Sequence, residues 1–242
     1  MQSLDAHVSC TDQLAGGVET NPSFANPPFA NLRSEAAAQF SAITTEVTYS
    51  RGACLFFEGQ ASQNIFILTS GRVKLSVTSR EGKIMILRVD GAGDILGLGA
   101  ALATKTHEVS AEVLEPCRAK VIRTRDFMAF LQKHPEAAAE ATRCILGEYQ
   151  ATFNNMRRLA LPTTVAGRLA NLLLEWRNAR DNGEKQCRLT VALTHEEIAG
   201  MTNTSRETVS RVFHQFQREK LITVKGVSLT ILQPQALEQI SC

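Results

Sequence analysis

No apolar run in this chain approaches the roughly 20 residues that a helix needs to cross a bilayer. The first 32 residues contain neither Lys nor Arg and no continuous apolar stretch of signal-peptide length. The expectation is a cytoplasmic protein without a membrane partner. The six cysteines, at positions 10, 54, 117, 144, 187 and 242, form no CxxC pair. That excludes zinc-finger, ferredoxin and thioredoxin spacings and leaves free thiols, several of them buried, in a reducing compartment. Cys187 and Cys242 are the redox candidates, but no activating neighbour pattern accompanies them. Catalytic signatures are missing as well. His195-Glu196 opens an H-E-x-x pattern, but Ala199 stands where zincins need histidine. No Walker loop, Gly-x-Ser-x-Gly elbow or paired-carboxylate constellation is found, so an enzyme is not expected.

The 242 residues are ample for two domains, and the formal charge of +2 constrains partners little. Local positive potential, not total charge, is what a nucleic-acid binder needs.

Four segments are expected. Residues 1–32, rich in Asn, Ser, Ala, Gly and Pro, read as a flexible leader broken by Pro22, Pro27 and Pro28. Residues 33–133 open with a short helix around Ser34–Phe40. Short β runs then follow between about 44 and 124: TEVTYS, ACLFFE, NIFILTS, RVKLSVTS, KIMILRV, DILGL, EVSAEVLE and CRAKVIRT. Turn signals at Gly52, Gly59, Ser70-Gly71, Glu81-Gly82, Gly91 to Gly93 and Pro116 separate them, the pattern of a small sandwich or barrel. Residues 134–161 read as one long helix started by Pro135. Leu146, Tyr149, Phe153, Met156 and Ala160 step by 3 and 4 along it, a coiled-coil seam, with Ile145, Thr152 and Leu159 as a second stripe beside it. One stripe suits the β domain and the other a partner helix. At about 1.5 Å per residue the helix is near 38 Å long, which favours a homodimer over packing within one chain. Leu161-Pro162-Thr163-Thr164 is the hinge to residues 162–242, where Val165, Leu169, Leu172, Leu173 and Trp176 share a helix face and NARDNGEKQCR is a polar loop.

The richest stretch is LTHEEIAGMTNTSRETVSRVFHQFQREKLI, from Leu193. Thr194 with Glu197, and Thr204 with Glu207, fit capping boxes, predicting helix starts near 195 and 205. Val209, Val212, Phe213 and Phe216 share one side of the second helix and require a core. Arg206, Glu207, Ser210, Arg211 and His214 share the other. Such a helix, anchored by one face and showing guanidinium, carboxylate and hydroxyl on the other, suits a DNA major groove. The plain alternative is a solvated surface with an i,i+4 pair between Glu207 and Arg211. Against it stands the strand–turn–strand pattern ITVKGVSLTIL, which completes a winged helix-turn-helix with Lys225 at the wing tip. Thr194, Thr204 and Lys225 are the candidate contacts to the DNA backbone. A rival reading is a small-molecule or redox sensor acting through protein contacts rather than DNA, which the outward Arg206 and Arg211 disfavour.

GRVKLSVTSREGKIMILRVDGAGDILG and the helix-turn-helix stretch, joined by a long helix, resemble the Crp/Fnr family of transcription regulators over about residues 34–235. The resemblance implies an α+β chain with a cyclic-nucleotide-binding-like β roll (a jelly roll), a dimerisation helix and a C-terminal winged helix-turn-helix. Members that bind cyclic AMP read DNA through Arg-Glu-x-x-x-Arg, matched here by Arg206, Glu207 and Arg211. FNR-like members use Glu-x-x-Ser-Arg, matched by Glu207, Ser210 and Arg211. The implied target is double-stranded DNA bearing a palindrome of TGA-type half-sites, TTGA or TGTGA. The implied interface is Leu146, Tyr149, Phe153 and Met156. RNA polymerase is the implied partner of an activator, through the turn Ser79–Gly82 or the loop Asp181–Lys185. The sensory end departs from the family. Cyclic-AMP-binding members hold the ribose and phosphate with Gly-Glu and Arg-Ser pairs, and the aligned effector positions here are Gly97, Leu98, Val109 and Ser110. A buried phosphate without its arginine is heavily penalised, which argues against cyclic AMP unless Lys105 or His107 substitutes in a shifted pocket. The FNR-type cysteine cluster is missing, which argues against an iron–sulfur centre. Some relatives bind haem, for which His107 and His7 are the candidate ligands, although lone histidines are usually structural or solvated.

Overall fold

Packing at the start of the described residues is aromatic. Phe29 lies 5.0 Å, ring centroid to ring centroid, from Phe40 on helix α1 (Ser34–Ala42) and 5.6 Å from Phe127. The computed structural model describes residues 27–178, 187–190, 193–226 and 228–241. Within it, Phe29 is buried although composition places it in the leader. An isolated aromatic among Asn and Pro carries no periodicity, so only the docked partner reveals its role. The rest of the leader, with Cys10 and His7, lies outside the described residues, as do the loop Asp181–Lys185 and Cys242.

The β domain comprises β1 (Thr44–Tyr49), β2 (Cys54–Phe56), β3 (Asn64–Thr78), β4 (Ile84–Asp90), β5 (Ile95–Leu96), α2 (Leu98–Ala103) and β6 (Ser110–Arg123). The antiparallel order is β1-β6-β3-β4, with β2 added on β6 and β5 on β3. Two of the expected turns are absent. Gly71 and Pro116 lie inside the long strands β3 and β6, where pairing shifts register between Leu68 and Ser70, Ser70 and Arg72, and Arg72 and Val73. Gly71 has φ +81°, and a Cβ there would stand 2.4 Å from the Pro116 carbonyl oxygen. The two residues face each other across a bulge. Punctuating residues that break a lone strand are accommodated here because the partner strand bulges at the same level. The expected strand at DILGL is only the two-residue β5, because Leu98 starts α2.

Helix α3 (Thr124–Lys133) leads into α4 (Pro135–Ala160), a 26-residue helix opened by its proline. Ala137, Ala141 and Cys144 bury its inner face against the core that holds Phe127, Phe130 and Leu98. The expected second stripe is only partly realised: Thr152 is exposed, and the charged Arg158 is buried in its place. Leu146, Tyr149, Phe153 and Met156 remain 51–67% exposed within one chain.

After the hinge, in which Pro162 is buried, come α5 (Val165–Asn178), β7 (Cys187–Thr190), α6 (His195–Met201), α7 (Arg206–Arg218), β8 (Ile222–Lys225), β9 (Ser228–Ile231) and α8 (Pro234–Ser241). Strand β7, whose start falls in the expected polar loop, joins the wing to give the sheet β7-β9-β8. The core of this domain is continuous with β4: Ile86 and Val89 pack with Leu169, Met201 and Phe213 in one apolar cluster. A Cβ at Gly200 would stand 3.2 Å from Ile86 Cγ1, so α6 rests directly on β4. Lys83 Nζ donates to Asn203 Oδ1 (2.6 Å), tying the β3–β4 hairpin to the turn before α7. No helix among the described residues is long and apolar enough to cross a membrane.

Candidate nucleic-acid interface

Helix α6 begins with the expected capping box. Thr194 N–H donates to Glu197 Oε2 (2.6 Å), and Glu197 N–H donates to Thr194 Oγ1 (3.2 Å). The Thr194 hydroxyl is thereby committed to the cap. The second expected box is replaced by a different cap. Ser205 is the N-cap of α7, accepting from Thr208 N–H at 3.2 Å. Thr204 sits in the turn, where its N–H donates to Ala199 O (3.0 Å) after Asn203 at φ +48°. The box pattern fits only the Thr204–Glu207 frame, but the left-handed Asn203 leaves Thr204 in the turn, and Ser205 caps the helix by its hydroxyl alone. Helix α7 therefore starts at Arg206, placing Arg206 and Glu207 in its first turn.

Val209, Val212, Phe213 and Phe216 are all buried. Arg206, Glu207, Arg211 and His214 are exposed on the opposite face. The Glu207–Arg211 ion pair of the alternative, solvated-surface reading is not formed among the described residues. Its own backbone N–H, then the Ser205 hydroxyl, then Arg206 hold the Glu207 carboxyl below its ordinary range, so it is an acceptor at neutral pH. Ser210 is half-buried, and its Oγ lies 2.8 Å from His195 Nδ1. Lys225 is exposed beside Gly226 (φ +59°) at the wing turn. Arg168 Nε donates to Thr202 O (2.8 Å), fixing the turn to α5.

The sensory positions do not converge on a shared polar site. Gly97, at φ +78°, caps α2; Leu98 is wholly buried in one apolar cluster; Val109 packs against another; Ser110 Oγ accepts from Glu58 N–H (3.0 Å). His107 is buried, stacked on Phe56 with centroids 3.8 Å apart, and its Cε1 lies 3.0 Å from where a Cβ of Gly97 would stand. Burial lowers its pKa, which keeps the imidazole neutral. Burial also raises the pKa of Cys54 and of Cys117, and pushes Cys144 up to about 12, so these are thiols rather than thiolates.

A charged cluster that periodicity did not reveal joins the roll to α4. Arg88 Nε donates to Asp90 Oδ2 (3.0 Å), and Arg88 Nη2 lies 3.7 Å from Glu148 Oε1. Asp94 Oδ2 accepts from Gly91 N–H (2.8 Å). Burial, reinforced by Asp90, pushes Asp94 up to about 7; burial, opposed by Arg88, pushes Glu148 up to about 7. Both carboxyls thus hold protons in the folded chain that the unfolded chain releases above about pH 4. Their contribution favours folding at the acid end of that window and fades as the pH rises through about 7. The variant Asp94→Asn/Glu148→Gln is accordingly expected to be more stable than wild type at about pH 8, with the difference in urea midpoint closing towards about pH 4.5. Further along, Arg158 Nη1 donates to Glu175 Oε2 (3.0 Å), clamping α4 to α5 across the hinge.

Two family models match the chain: the cyclic nucleotide-binding domain over residues 46–134 and the Crp-like helix-turn-helix domain over residues 167–240. The chain belongs to the Crp/Fnr family of transcription regulators. Among its relatives, this Crp/Fnr chain is 29% identical to a probable transcriptional regulator flp of Lacticaseibacillus casei over 88% of its own length and 94% of that protein's. It is 27% identical to a CRP-like cAMP-activated global transcriptional regulator of Mycobacterium tuberculosis over 86% of its own length and 93% of that protein's. Its fold matches a CooA mutant from Carboxydothermus hydrogenoformans (TM-score 0.73, 20% identity, 90% of this chain and 97% of that one). It also matches FixK2 from Bradyrhizobium japonicum (TM-score 0.72, 18% identity, 83% and 98%). The relatives are transcription regulators rather than enzymes, and the α+β architecture of a cyclic-nucleotide-binding domain followed by a helix-turn-helix is that of the family.

Proposed function

We propose that this regulator is a homodimer that reads a palindrome of TGA-type half-sites, TTGA or TGTGA, with its α7 helices. The observation that carries the reading is one helix with its apolar side buried and Arg206, Glu207 and Arg211 exposed together on the other. Arg211 bonds a guanine edge bidentately, Glu207 accepts from a cytosine or adenine amino group, Ser210 meets a neighbouring base, and Arg206 extends the contact towards a further guanine. Dimerisation through Leu146, Tyr149, Phe153 and Met156 places two such helices on half-sites about 34–36 Å apart. The cytoplasm is the compartment that keeps Cys54, Cys117 and Cys144 as free thiols. The exposed Ser79–Gly82 turn is the candidate polymerase contact if the protein activates. In a gel shift, the TGA-type palindrome should be retained at moderate salt, when a scrambled duplex is released. Equal retention of both duplexes would refute sequence reading; retention of neither at low salt would favour action through protein contacts.

The roll is the sensing end in this reading, and its residues do not fit cyclic AMP. Leu98 and Val109 stand where a carboxylate and a guanidinium are needed, both pack into apolar clusters, and the His107–Phe56 stack fills the space beside Gly97. Haem on His107 would require that stack to open. The signal is therefore of another kind, transmitted where Arg88 and Glu148 link the roll to α4. Lys225 contacts phosphate: Lys225→Ala should weaken all duplexes alike and reduce the salt slope by about one unit.

A further inference from the structure

We infer that His195, on the first helix of the helix-turn-helix, is a positioning residue that fixes the hydrogen-bonding sense in which Ser210 meets a base. The inference rests on α7 being the reading helix. His195 Nδ1 lies 2.8 Å from Ser210 Oγ, and the imidazole ring packs on Phe213 with centroids 5.3 Å apart and planes 32° apart. Phe213 is buried, so the ring rests on a fixed support, while Ser210 is only half-buried and lies on α7 between the exposed Glu207 and Arg211 in sequence.

A serine hydroxyl ordinarily turns to suit its neighbour, with one proton to give and two lone pairs to receive. Such a group tolerates either kind of base edge and discriminates poorly. In the Nε2–H tautomer, the more stable one for a neutral imidazole side chain, Nδ1 is an acceptor and takes the Ser210 proton. The hydroxyl then shows DNA only lone pairs. It matches an edge that offers an amino group, adenine N6 or cytosine N4, and meets thymine O4 or guanine O6 lone pair to lone pair. His195 thus turns an indifferent hydroxyl into an acceptor with a fixed direction, from an element that itself need touch no base.

The test is a selectivity profile: binding constants for palindromes carrying each base pair in turn at every half-site position, measured on the full-length protein. Relative to wild type, His195→Ala is expected to lower discrimination roughly ten-fold at a single base pair, about 1.4 kcal/mol, and to leave the position read by Arg211 unchanged. Ser210→Ala should lose preference at that same base pair, and the double variant should lose no more than either single one, the mark of one shared interaction. His195→Gln, whose amide oxygen can also accept, should restore much of the preference, which guards against a loss caused by the space left beside Phe213. Equal weakening on every sequence, additive losses, or no rescue by glutamine would overturn the positioning role. Unchanged discrimination in Ser210→Ala would overturn it by showing that the hydroxyl reads nothing. A wild-type profile flat at every position would instead mark failure of the base-reading assignment itself.

Discussion

Arg211→Ala should weaken binding to the TGA-type palindrome by about 1–3 kcal/mol, roughly 5- to 150-fold, and relax preference at one base pair of each half-site. The expectation follows from three features together. Arg211 is exposed, it lies on the face opposite Val212 and Phe213, and among the described residues it is not spent on Glu207. A guanidinium with no competing carboxylate presents both donors to the O6 and N7 of a guanine, geometry that lysine cannot reproduce. Arg211→Lys should therefore keep affinity for random DNA while losing most of the discrimination. Binding constants for the palindrome and a scrambled duplex, at two salt concentrations, separate the outcomes. Equal loss on both duplexes would mean that Arg211 touches phosphate only.

The second large effect is expected at Phe153. Phe153→Asp should yield monomers in sedimentation and abolish measurable retention of the palindrome at moderate salt. Leu146, Tyr149, Phe153 and Met156 lie along one exposed line of α4, with the Tyr149 and Phe153 rings 6.5 Å apart and nearly parallel. Exposed apolar side chains so arrayed on a helix of 26 residues favour a second copy of the same helix. A carboxylate in the middle of that seam would be buried unpaired against its symmetry mate, a cost of several kcal/mol that a seam of this size does not offset. The variant should still fold, since Phe153 is 51% exposed and belongs to none of the apolar core clusters among the described residues. A dimer with unchanged DNA affinity would place the interface elsewhere.

The sequence alone determined those parts of the protein whose cause is local. The long helix opening at Pro135, the Thr194–Glu197 box, the hairpin at Lys225-Gly226 and the division of α7 into a buried and an exposed side each follow from residues within a few positions of one another. Hydrophobic periodicity and capping report such causes directly. Tertiary structure decided whatever depends on a partner distant in sequence. Gly71 and Pro116 look like turns until they face each other across a bulge. Phe29 looks like linker until Phe40 and Phe127 close on it. Glu148 and Arg158 interrupt the apolar stripe of α4 because Arg88 and Glu175 satisfy them from other elements. Ser210, placed by its position on α7 beside the exposed face, meets its partner His195 only in the fold, fifteen positions earlier and one helix away. A polar group's burial, protonation and direction are set by the charges and donors that folding brings to it, and the pattern of its own neighbours in the chain carries no record of them.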